Sequence, residues 1–502
     1  MIDSKSEWFN QTNIVFQQVL DQVASNLNEI HSVNHSTKYW NIFVGPWLQQ
    51  FVDLVITQLR NQPLTTTTNS GHFPPAQSIR EFQQFAKNEN FINQLSSDIG
   101  SKKHNFISKE AVQVDSTVDV FSIRSTTKFG RTFLSATYLP RISEAKLQLR
   151  FGRLTKRLRP IEVQTLPIDA SIRQLLHLKS DQNPSISQLI TSLLPRYMPC
   201  VFLESFKFLS ATPTPWKSHR FPRVIFTSNR HLYDDVFNFW VAHATEVGSR
   251  LVLGQHGGFY GISEFPSYAE RHEKKIADRY LTWGWSSIDN SIAGPATIVV
   301  GAKPIKRKAP KHLLLVTDQL FTTPRSIFSD IGESSAYLPN IKLFVDETTT
   351  AKSSVLIRIP LTHADSGHSQ IDWFNKHLPQ TTVDTGELRF RILLREAKLV
   401  AIPHNGTTLI ESIALGVPTV IFWDKSIVWM RSEAKAVFNA LEQVGIFHST
   451  PESAASFINS IWDDVDGWWN SQPTLDARKQ FTDQYARTVS NPIRFLAKAL
   501  QF

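Results

Sequence analysis

Apolar residues near the start of the chain recur every four positions, which is the spacing of one helical face. The repeat consists of Val15, Val19, Val23 and Leu27. A second apolar stripe, rich in aromatic residues, follows between 40 and 55, with Gly45 and Pro46 interrupting it. Residues 8–60 are therefore predicted to be helical, and the polar, threonine-rich segment 62–75 is predicted to be a loop.

The next part of the chain mixes strand-forming and helix-forming segments. Residues 115–165 predict a strand-rich insertion, because β-branched and aromatic residues are frequent there. The three richest stretches lie at 118–123, 132–138 and 146–151. Residues 186–209 predict helix again, with breaks at Pro195 and Pro199, since proline removes a backbone donor.

From residue 223 onward, short apolar segments alternate with amphipathic ones. The apolar segments of strand length lie at 223–229, 251–253, 279–283, 312–317, 354–359, 399–402 and 419–422. The amphipathic segments of helix length include 235–246, 406–415 and 432–444. Strands that alternate with helices predict right-handed βαβ units and therefore parallel sheets.

A basic, proline-containing run at 303–311 divides this alternation and predicts a linker. The length of 502 residues also favours several domains, because single cores rarely grow beyond about 250–300 residues. We predict an N-terminal α/β domain with helical and β insertions over 1–300 and a C-terminal α/β domain over 312–470. A helical tail is predicted over 471–502.

The segment 251–261, Leu-Val-Leu-Gly-Gln-His-Gly-Gly-Phe-Tyr-Gly, contains the most informative polar residues of the first half. Its apolar run predicts a buried strand that brings Gln255 and His256 to the carboxyl edge of a parallel sheet, where α/β proteins bind ligands. Gly257 and Gly258 allow the backbone to approach a ligand closely. The alternative is a strand-end turn with a hydrogen-bonded histidine.

The segment 403–419 joins a strand to a helix through the polar turn Pro-His-Asn-Gly-Thr-Thr. The free N–H groups and the positive dipole end at the start of that helix can hold a phosphate. Thr407 and Thr408 precede Glu411 by four and three residues, so the three share a face. Glu411 could accept hydrogen bonds from sugar or ribose hydroxyls, and the alternative is a simple capping box of Thr408 with Glu411.

Several further motifs accompany these two segments. The set comprises Asn28-Glu-Ile-His31, Tyr39-Trp40, Gly45-Pro-Trp47, 255–261, Thr282-Trp-Gly-Trp285, 405–418 and Trp468-Trp469. The strand, the turn, the helix and the sequence Gly-Val-Pro-Thr-Val at 416–420 resemble the nucleotide-sugar site in the second domain of GT-B glycosyltransferases. As a whole, the set resembles a family of transferases from bacterial surface-carbohydrate gene clusters. That family is distantly similar to retaining β-Kdo transferases, which use CMP-Kdo.

This resemblance implies an α/β fold with two Rossmann-like domains in the GT-B arrangement, elaborated by N-terminal helices, and an active site between the domains. It implies no cofactor. The residues expected to bind the donor or another substrate are Gln255, Gly257, Gly258, Tyr260, Arg358, His404, Asn405, Gly406, Thr407, Thr408 and Glu411. Arg358 would pair with a donor phosphate or carboxylate, with a structural ion pair as the alternative. His404 would contact the nucleotide or merely satisfy the turn.

The resemblance also implies that a carboxylate attacks the anomeric carbon of the donor. Asp235 is the predicted nucleophile, and its rivals are Asp234, Glu204 and Glu264. Glu264 is also a candidate base or ligand of acceptor hydroxyls. His256 is the predicted acid–base group, because imidazole can donate or accept a proton near neutral pH. An exposed carboxylate at a helix N-terminus is the alternative for Asp235.

Composition and charge limit the classes of binding partner and the cellular compartment that we expect. The net charge of +9 favours anionic partners: nucleic acid, an anionic membrane surface or a phosphorylated substrate. No nucleic-acid-binding motif accompanies the basic runs at 150–159 and 303–311, so nucleic acid is not expected. The single cysteine, Cys200, excludes an internal disulfide and fits a reducing compartment.

Neither a signal peptide nor an apolar window of 18 residues is visible, so we expect a cytoplasmic protein that could touch the inner membrane peripherally. No metal site is expected. The D-x-D at Asp464-Val-Asp466 lies late in the chain and predicts a solvated helix end, and no His/Cys cluster has zinc spacing.

These observations predict a metal-independent glycosyltransferase. It would move a sugar, such as Kdo or a related acidic sugar from a CMP donor, onto a bacterial surface polysaccharide or glycolipid. Two other interpretations stay open: a nucleotide-sugar 2-epimerase on the same architecture, and a carbohydrate-assembly scaffold without catalytic activity.

Overall fold

The computed structural model describes residues 5–60, 73–101, 118–122, 132–152, 159–163, 166–176, 184–211, 221–286, 290–318, 335–351, 354–359 and 370–502. For 118–122 and 159–163, only the backbone is described. Most of the predicted loop 62–75 lies outside the described residues.

The chain begins with a layer of helices, as predicted. They are α1 (Lys5–His31), α2 (Thr37–Phe43), α3 (Gly45–Arg60), α4 (Ile79–Phe85) and α5 (Glu89–Gly100). The four-residue repeat of α1 is fully buried. The second stripe is divided between α2 and α3 at Gly45 and Pro46, as predicted, and these two residues begin α3. Proline fits there because N–H groups in the first turn of a helix have no partner within the helix.

The first sheet has five parallel strands in the order β2-β4-β5-β6-β7. These strands are β2 (Thr132–Ser135), β4 (Val224–Thr227), β5 (Arg250–Gly254), β6 (Arg279–Thr282) and β7 (Ser291–Ala293). A separate antiparallel pair joins β1 (Val118–Ser122) to β3 (Arg159–Val163). The associated helices are α6 (Arg141–Arg150), α7 (Ala170–Gln174), α8 (Ile186–Tyr197), α9 (Phe206–Ala211), α10 (Asp235–Glu246) and α11 (Tyr268–Ile276).

Three predictions for the middle of the first half need correction. Residues 132–135 form an edge strand of the main sheet, so they are not part of an insertion. Residues 146–151 are mostly the end of α6 and not a strand. Pro195 lies inside α8, which continues to Tyr197, and the carbonyl of Pro195 accepts a hydrogen bond from the buried guanidinium of Arg173 at 2.9 Å.

The second sheet has six parallel strands in the order β10-β9-β8-β11-β12-β13. They are β8 (His312–Val316), β9 (Val355–Arg358), β10 (Thr382–Asp384), β11 (Ala397–Ile402), β12 (Thr419–Phe422) and β13 (Phe447–His448). Counted from β8, this is the doubly wound order 3-2-1-4-5-6, in which the winding reverses between β8 and β11. Ligands of such sheets bind at the carboxyl ends of the strands beside that reversal.

The helices of the second half include α12 (Tyr337–Glu347), α13 (Gln370–His377), α14 (Phe390–Glu396), α15 (Thr407–Ala414) and α16 (Ser432–Gln443). The chain ends with α17 (Pro451–Ile461), α18 (Val465–Trp469), α19 (Gln472–Tyr485) and α20 (Pro492–Ala499). α19 packs on α16, whereas α20 returns to the first half and packs on α6. The boundaries at 300 and 470 stay a prediction.

The predicted fold class is confirmed: an α/β protein with two parallel sheets and a helical N-terminal region. Within the described ranges, no helix combines the length and the apolar character needed to cross a bilayer.

Candidate functional site

The turn after β5 is held by the side chain of Gln255. Its Nε2 donates to the carbonyl of Gly257 at 2.8 Å. Its Oε1 accepts from the backbone N–H of Trp283 and from the indole N–H of Trp285, both at 2.8 Å. Because Gln255 is buried and its amide is engaged by the protein, it supports the turn in this structure, and its role in binding a substrate stays a prediction.

His256 belongs to a buried cluster around the carboxylate of Glu273 on α11. The Nε2 atom of His256 lies 2.8 Å from Glu273 Oε1 and 2.8 Å from the hydroxyl of Tyr260. The hydroxyls of Tyr260 and Tyr280 donate to Glu273 at 3.2 and 2.9 Å. His231 Nε2 lies 3.3 Å from the same Oε1. Tyr260 is completely buried and supports His256 in this structure, and its contact with a substrate stays a prediction.

The ionisation of Glu273 determines how the cluster is protonated. Burial alone would raise the pKa of Glu273, but His256 and His231 beside it lower the pKa to about 2. An ionised carboxylate only accepts hydrogen bonds, so Nε2 of His256 must carry the hydrogen that it donates to Glu273. Within the described residues, Nδ1 of His256 has no hydrogen-bond partner, and the side chain is 13% exposed. Nδ1 is therefore the atom available to a substrate.

Strained backbone adjoins this cluster at the carboxyl end of β2. Ala136 and Tyr138 have φ values of 47° and 58°, which residues with a Cβ rarely adopt. The ring of Tyr138 lies 6.1 Å from that of His256, and its hydroxyl accepts a hydrogen bond from Asn229 at 3.2 Å. Burial raises the pKa of Tyr138. Strain that the surroundings maintain is common at functional sites.

The two segments singled out in the sequence contact each other. The backbone N–H of Gly258 donates to the hydroxyl of Thr407 at 3.1 Å. A Cβ atom at position 258 would lie 2.5 Å from the carbonyl oxygen of Gly406, so only glycine allows this approach. The hydroxyl of Thr408, one residue further, is buried and has no hydrogen-bond partner among the residues that the structure describes. Buried hydroxyls without a partner are uncommon in proteins.

This contact adjoins the winding reversal of the second sheet. Asp318 follows β8, and His404 follows β11, so both lie at the carboxyl edge where the winding changes direction. Nδ1 of His404 accepts from the backbone N–H of Gly406 at 3.0 Å and lies 3.8 Å from Asp318. His404 thus satisfies the turn, while Asn405 beside it is only half buried.

Two charged residues predicted to bind the donor are paired within the protein. Glu411 Oε1 accepts from Nε and Nη2 of Arg391 at 2.9 and 2.6 Å, and the N-cap of α15 is Gly406 without a side-chain cap, so the capping box is not formed. Arg358 pairs with Asp384 at 2.5 Å and donates to a backbone carbonyl at 2.6 Å. The structural alternative for Arg358 is therefore the one observed.

The predicted nucleophile does not lie beside His256. Asp235 is buried at the start of α10, where it accepts a long hydrogen bond from the backbone N–H of Ile79 at 3.3 Å. Burial, and then the neighbouring Asp234, raise the pKa of Asp235 to about 8. Asp234 caps α10 and pairs with Arg230 at 2.8 Å. The carboxyl of Asp235 is covered by the start of α4 in this structure, and its role as nucleophile stays a prediction.

The remaining rivals differ in position. Glu204 is enclosed in an ion pair with the buried Arg173 at 2.7 Å, which removes it from consideration. Glu264 is exposed, and its backbone N–H donates to the carbonyl of Trp429 at 2.7 Å. Arg431 from the second half also binds this segment and pairs with the buried Glu270 at 2.8 Å. Glu264 therefore lies where the two halves meet, and its catalytic role stays a prediction.

Three residues of the site were not found by sequence reasoning: Glu273, His231 and Tyr138. Glu273 lies in the segment Tyr-Ala-Glu-Arg-His-Glu-Lys-Lys-Ile, whose polarity is typical of an exposed helix. His231 follows β4 and Tyr138 follows β2, so both occupy the strand-end position that drew attention to His256. Applying that criterion to every strand would have found these two.

A family model described as LIC12162 family transferase matches residues 3–500. The chain therefore belongs to this family of transferases. No curated protein matches it.

Solved structures give weaker likenesses. A protein assigned as a UDP-N-acetylglucosamine 2-epimerase from Listeria monocytogenes is 11% identical, over 53% of this chain and 71% of that one, with a TM-score of 0.36. The wall teichoic acid polymerase TagF is 8% identical over 56% and 71%, with a TM-score of 0.31. The pneumococcal O-GlcNAc transferase GtfA, solved with UDP and GlcNAc, is 11% identical over 57% and 58%, with a TM-score of 0.34. Values this low carry no argument about activity.

Proposed function

We propose that this transferase is a glycosyltransferase of GT-B type that uses a nucleotide-sugar donor. The observation that carries the proposal is the contact between Gly258 and Thr407, which joins the His256 segment to the winding reversal of the second sheet. A reactive group and a nucleotide-binding edge are thereby brought together between two parallel sheets, where ligand sites of α/β proteins are usual.

The nucleotide end of the donor would bind at 404–408. The start of α15 supplies backbone N–H groups and a positive dipole end for phosphate. The orphan hydroxyl of Thr408 would gain a partner there. Arg391, which holds Glu411 and keeps 41% of its side chain exposed, adds positive charge beside the donor. GT-B enzymes stabilise the leaving phosphate with such groups, so we propose a reaction without a divalent metal.

His256 would exchange a proton with the reacting sugar or its acceptor through Nδ1. Glu273 fixes the ring from the opposite nitrogen and stabilises the imidazolium that forms when Nδ1 takes up a proton. Of the carboxylates weighed as nucleophile or base, Glu264 is the one that reaches the junction of the halves. We propose an acidic sugar such as Kdo, carried by CMP, as the donor, since the resemblance of the motifs points to it.

The acceptor would be a surface polysaccharide or a glycolipid of a bacterium, modified on the cytoplasmic side of the inner membrane. The net charge of +9 suits anionic saccharides and peripheral contact with an anionic bilayer.

Thermal shift with CMP, UDP and GDP, each with EDTA and with magnesium, tests the nucleotide site. We expect CMP to raise the melting temperature of the wild type with or without metal. Thr408→Val should lose most of that shift, because it removes the hydroxyl while conserving shape. Thr482→Val on α19, where the hydroxyl bonds only to its own helix, should retain it.

Equal shifts in both variants, or no shift with any nucleotide, would overturn the site. Turnover distinguishes the classes of enzyme. A transferase slowly hydrolyses its donor or requires an acceptor, whereas conversion of a UDP-sugar alone would indicate an epimerase. Absence of both would indicate a scaffold.

A further inference from the structure

Helix α6 exposes apolar residues where a surface helix normally exposes polar ones. Leu147 is buried against the first sheet, and the opposite face contains Ile142, Ala145 and Leu149, spaced by three and four residues. The side chains of Ile142 and Leu149 are 72% and 59% exposed. The solvent-facing side of α6 therefore carries a stripe of aliphatic side chains.

Basic residues flank the stripe on both sides. Arg141, Lys146 and Arg150 are exposed, at angles of about 70–110° from the centre of the stripe if each residue turns the helix by about 100°. The one acidic residue of α6, Glu144, is turned inward, where it accepts from Thr137 at 2.5 Å and from Gln148 at 3.2 Å.

The neighbouring helix α20 extends the positive surface. It packs on α6 and presents two exposed basic residues, Arg494 and Lys498, while residues 492–499 contain no acidic residue. Ser143 of α6 also lies beside Gly301, two residues before the exposed Lys303. An aliphatic stripe bordered by basic side chains is the pattern of a helix that lies in a membrane interface.

We propose that this surface, named here the α6 face, docks the protein on an anionic phospholipid bilayer. The inference rests on the proposed function, in that it locates the peripheral membrane contact. A second copy of the chain fits less well, because a symmetric dimer would bring the same basic residues of the two copies together. Anionic headgroups match the basic flanks, and the acyl boundary matches Ile142 and Leu149.

Sedimentation of the full chain with vesicles tests the docking surface, one set of phosphatidylcholine alone and one containing about one third phosphatidylglycerol. We expect binding to the anionic vesicles only. The double variant Ile142→Ser with Leu149→Ser should bind at least about tenfold more weakly, because it removes the inserted apolar area. Arg141→Gln with Lys146→Gln should also weaken binding about tenfold and make the remainder less sensitive to salt.

A matched control replaces exposed aliphatics elsewhere: Val247→Ser with Leu475→Ser, whose side chains are 69% and 38% exposed. The control should bind like the wild type. The proposal is overturned if the control loses as much binding as the α6 variants, if the α6 variants bind normally, or if the wild type binds no anionic vesicles. A dimer in light scattering that the Ile142/Leu149 variant abolishes would identify the face as a contact between copies instead. The thermal shift with nucleotides is measured without vesicles and does not depend on membrane binding. Failure of the membrane proposal can therefore be distinguished from failure of the proposed function.

Discussion

The replacement Glu273→Gln tests whether the buried carboxylate acts through His256. The amide has the shape of the carboxylate and retains one acceptor oxygen. Placed with that oxygen at the Oε1 position, glutamine can still accept from His256 and Tyr260, while its NH₂ group faces the hydroxyl of Tyr280. The substitution therefore removes the charge and conserves most of the geometry.

The expected effects differ for stability and for turnover. The hydrogen bonds from His256 and Tyr260 change from charge-assisted to neutral, each a difference of about 1 kcal/mol, and the bond with Tyr280 must reverse so that the amide donates. Removing a buried charge offsets part of this loss. Stability should fall by about 1–3 kcal/mol. Turnover should fall by about 10²-fold or more, since the imidazolium of His256 loses its counter-charge in the transition state.

The dependence on pH gives a second signature. Because the pKa of folded Glu273 is about 2 and that of an ordinary glutamate is 4.5, the unfolded chain binds the proton more tightly. The contribution of Glu273 to stability is thus complete above about pH 4.5 and is lost as the pH falls towards 2. In Glu273→Gln this loss should be absent.

A double-mutant cycle decides between an action through His256 and a merely structural role. kcat/KM would be measured for Glu273→Gln, for His256→Ala and for the pair, with melting temperatures as the control for folding. If Glu273 orients His256 and stabilises its imidazolium, replacing Glu273 should lower kcat/KM only slightly once His256 is absent. Additive losses in kcat/KM would refute the reasoning.

Two further predictions concern the interface and the buried carboxyl of α10. Gly258→Ala should lower both turnover and melting temperature and destabilise the fold by about 1–3 kcal/mol, since the added Cβ would lie 2.5–2.7 Å from backbone atoms of the second half. Gly100→Ala is the control, because a Cβ there has no atom within 4 Å. Equal turnover and melting temperature in the two variants would contradict the contact. Asp235→Asn should leave turnover unchanged and should stabilise the protein more as the pH rises from about 4 to 8. In the folded wild type the pKa of Asp235 is raised to about 8, whereas in the unfolded chain the carboxyl ionises near 3.8, so the wild type loses stability over this range and the Asn variant does not. Urea denaturation at several pH values measures this gain, and a loss of turnover would restore Asp235 as a candidate nucleophile.

The sequence predicted most strands and the two contact segments because their signals are local. An apolar run that ends in polar residues and glycine, as at Gly254 and Ile402, defines the carboxyl edge of a buried parallel strand. The meeting of Gly258 with Thr407 could not be predicted, since it depends on how two sheets are packed. The burial of Asp235 could not be predicted for the same reason, since its position at the start of a helix does not reveal that another helix covers it.

The wrong assignment at 146–151 has a physical cause that bears on function. Residues 146–151 belong to the region predicted to be rich in strands from its residue types, and Leu147, Leu149 and Phe151 also alternate with polar residues there. In the structure the segment is helical, and the alternation arises because Leu149 faces solvent while Leu147 faces the sheet. A conflict between the pattern and the fold is expected where a residue serves binding and not folding. The misleading residue is thus one of the two on which the membrane proposal depends.

Helix α11 carries buried charges that depend on three separate regions of the protein. It buries three charged residues, each matched to a different part of the molecule: Arg271 pairs with Asp53 of α3, Glu270 with Arg431 of the second half, and Glu273 with His256. Buried charges destabilise a protein when their partners are removed, so α11 keeps its position only if all three regions are in place. Since Glu270 and Glu273 lie one turn apart, the ion pair between the halves and the orientation of His256 depend on the same helix. The geometry of His256, the proposed acid–base group, is therefore coupled to contact between the two halves, through α11 and through Gly258.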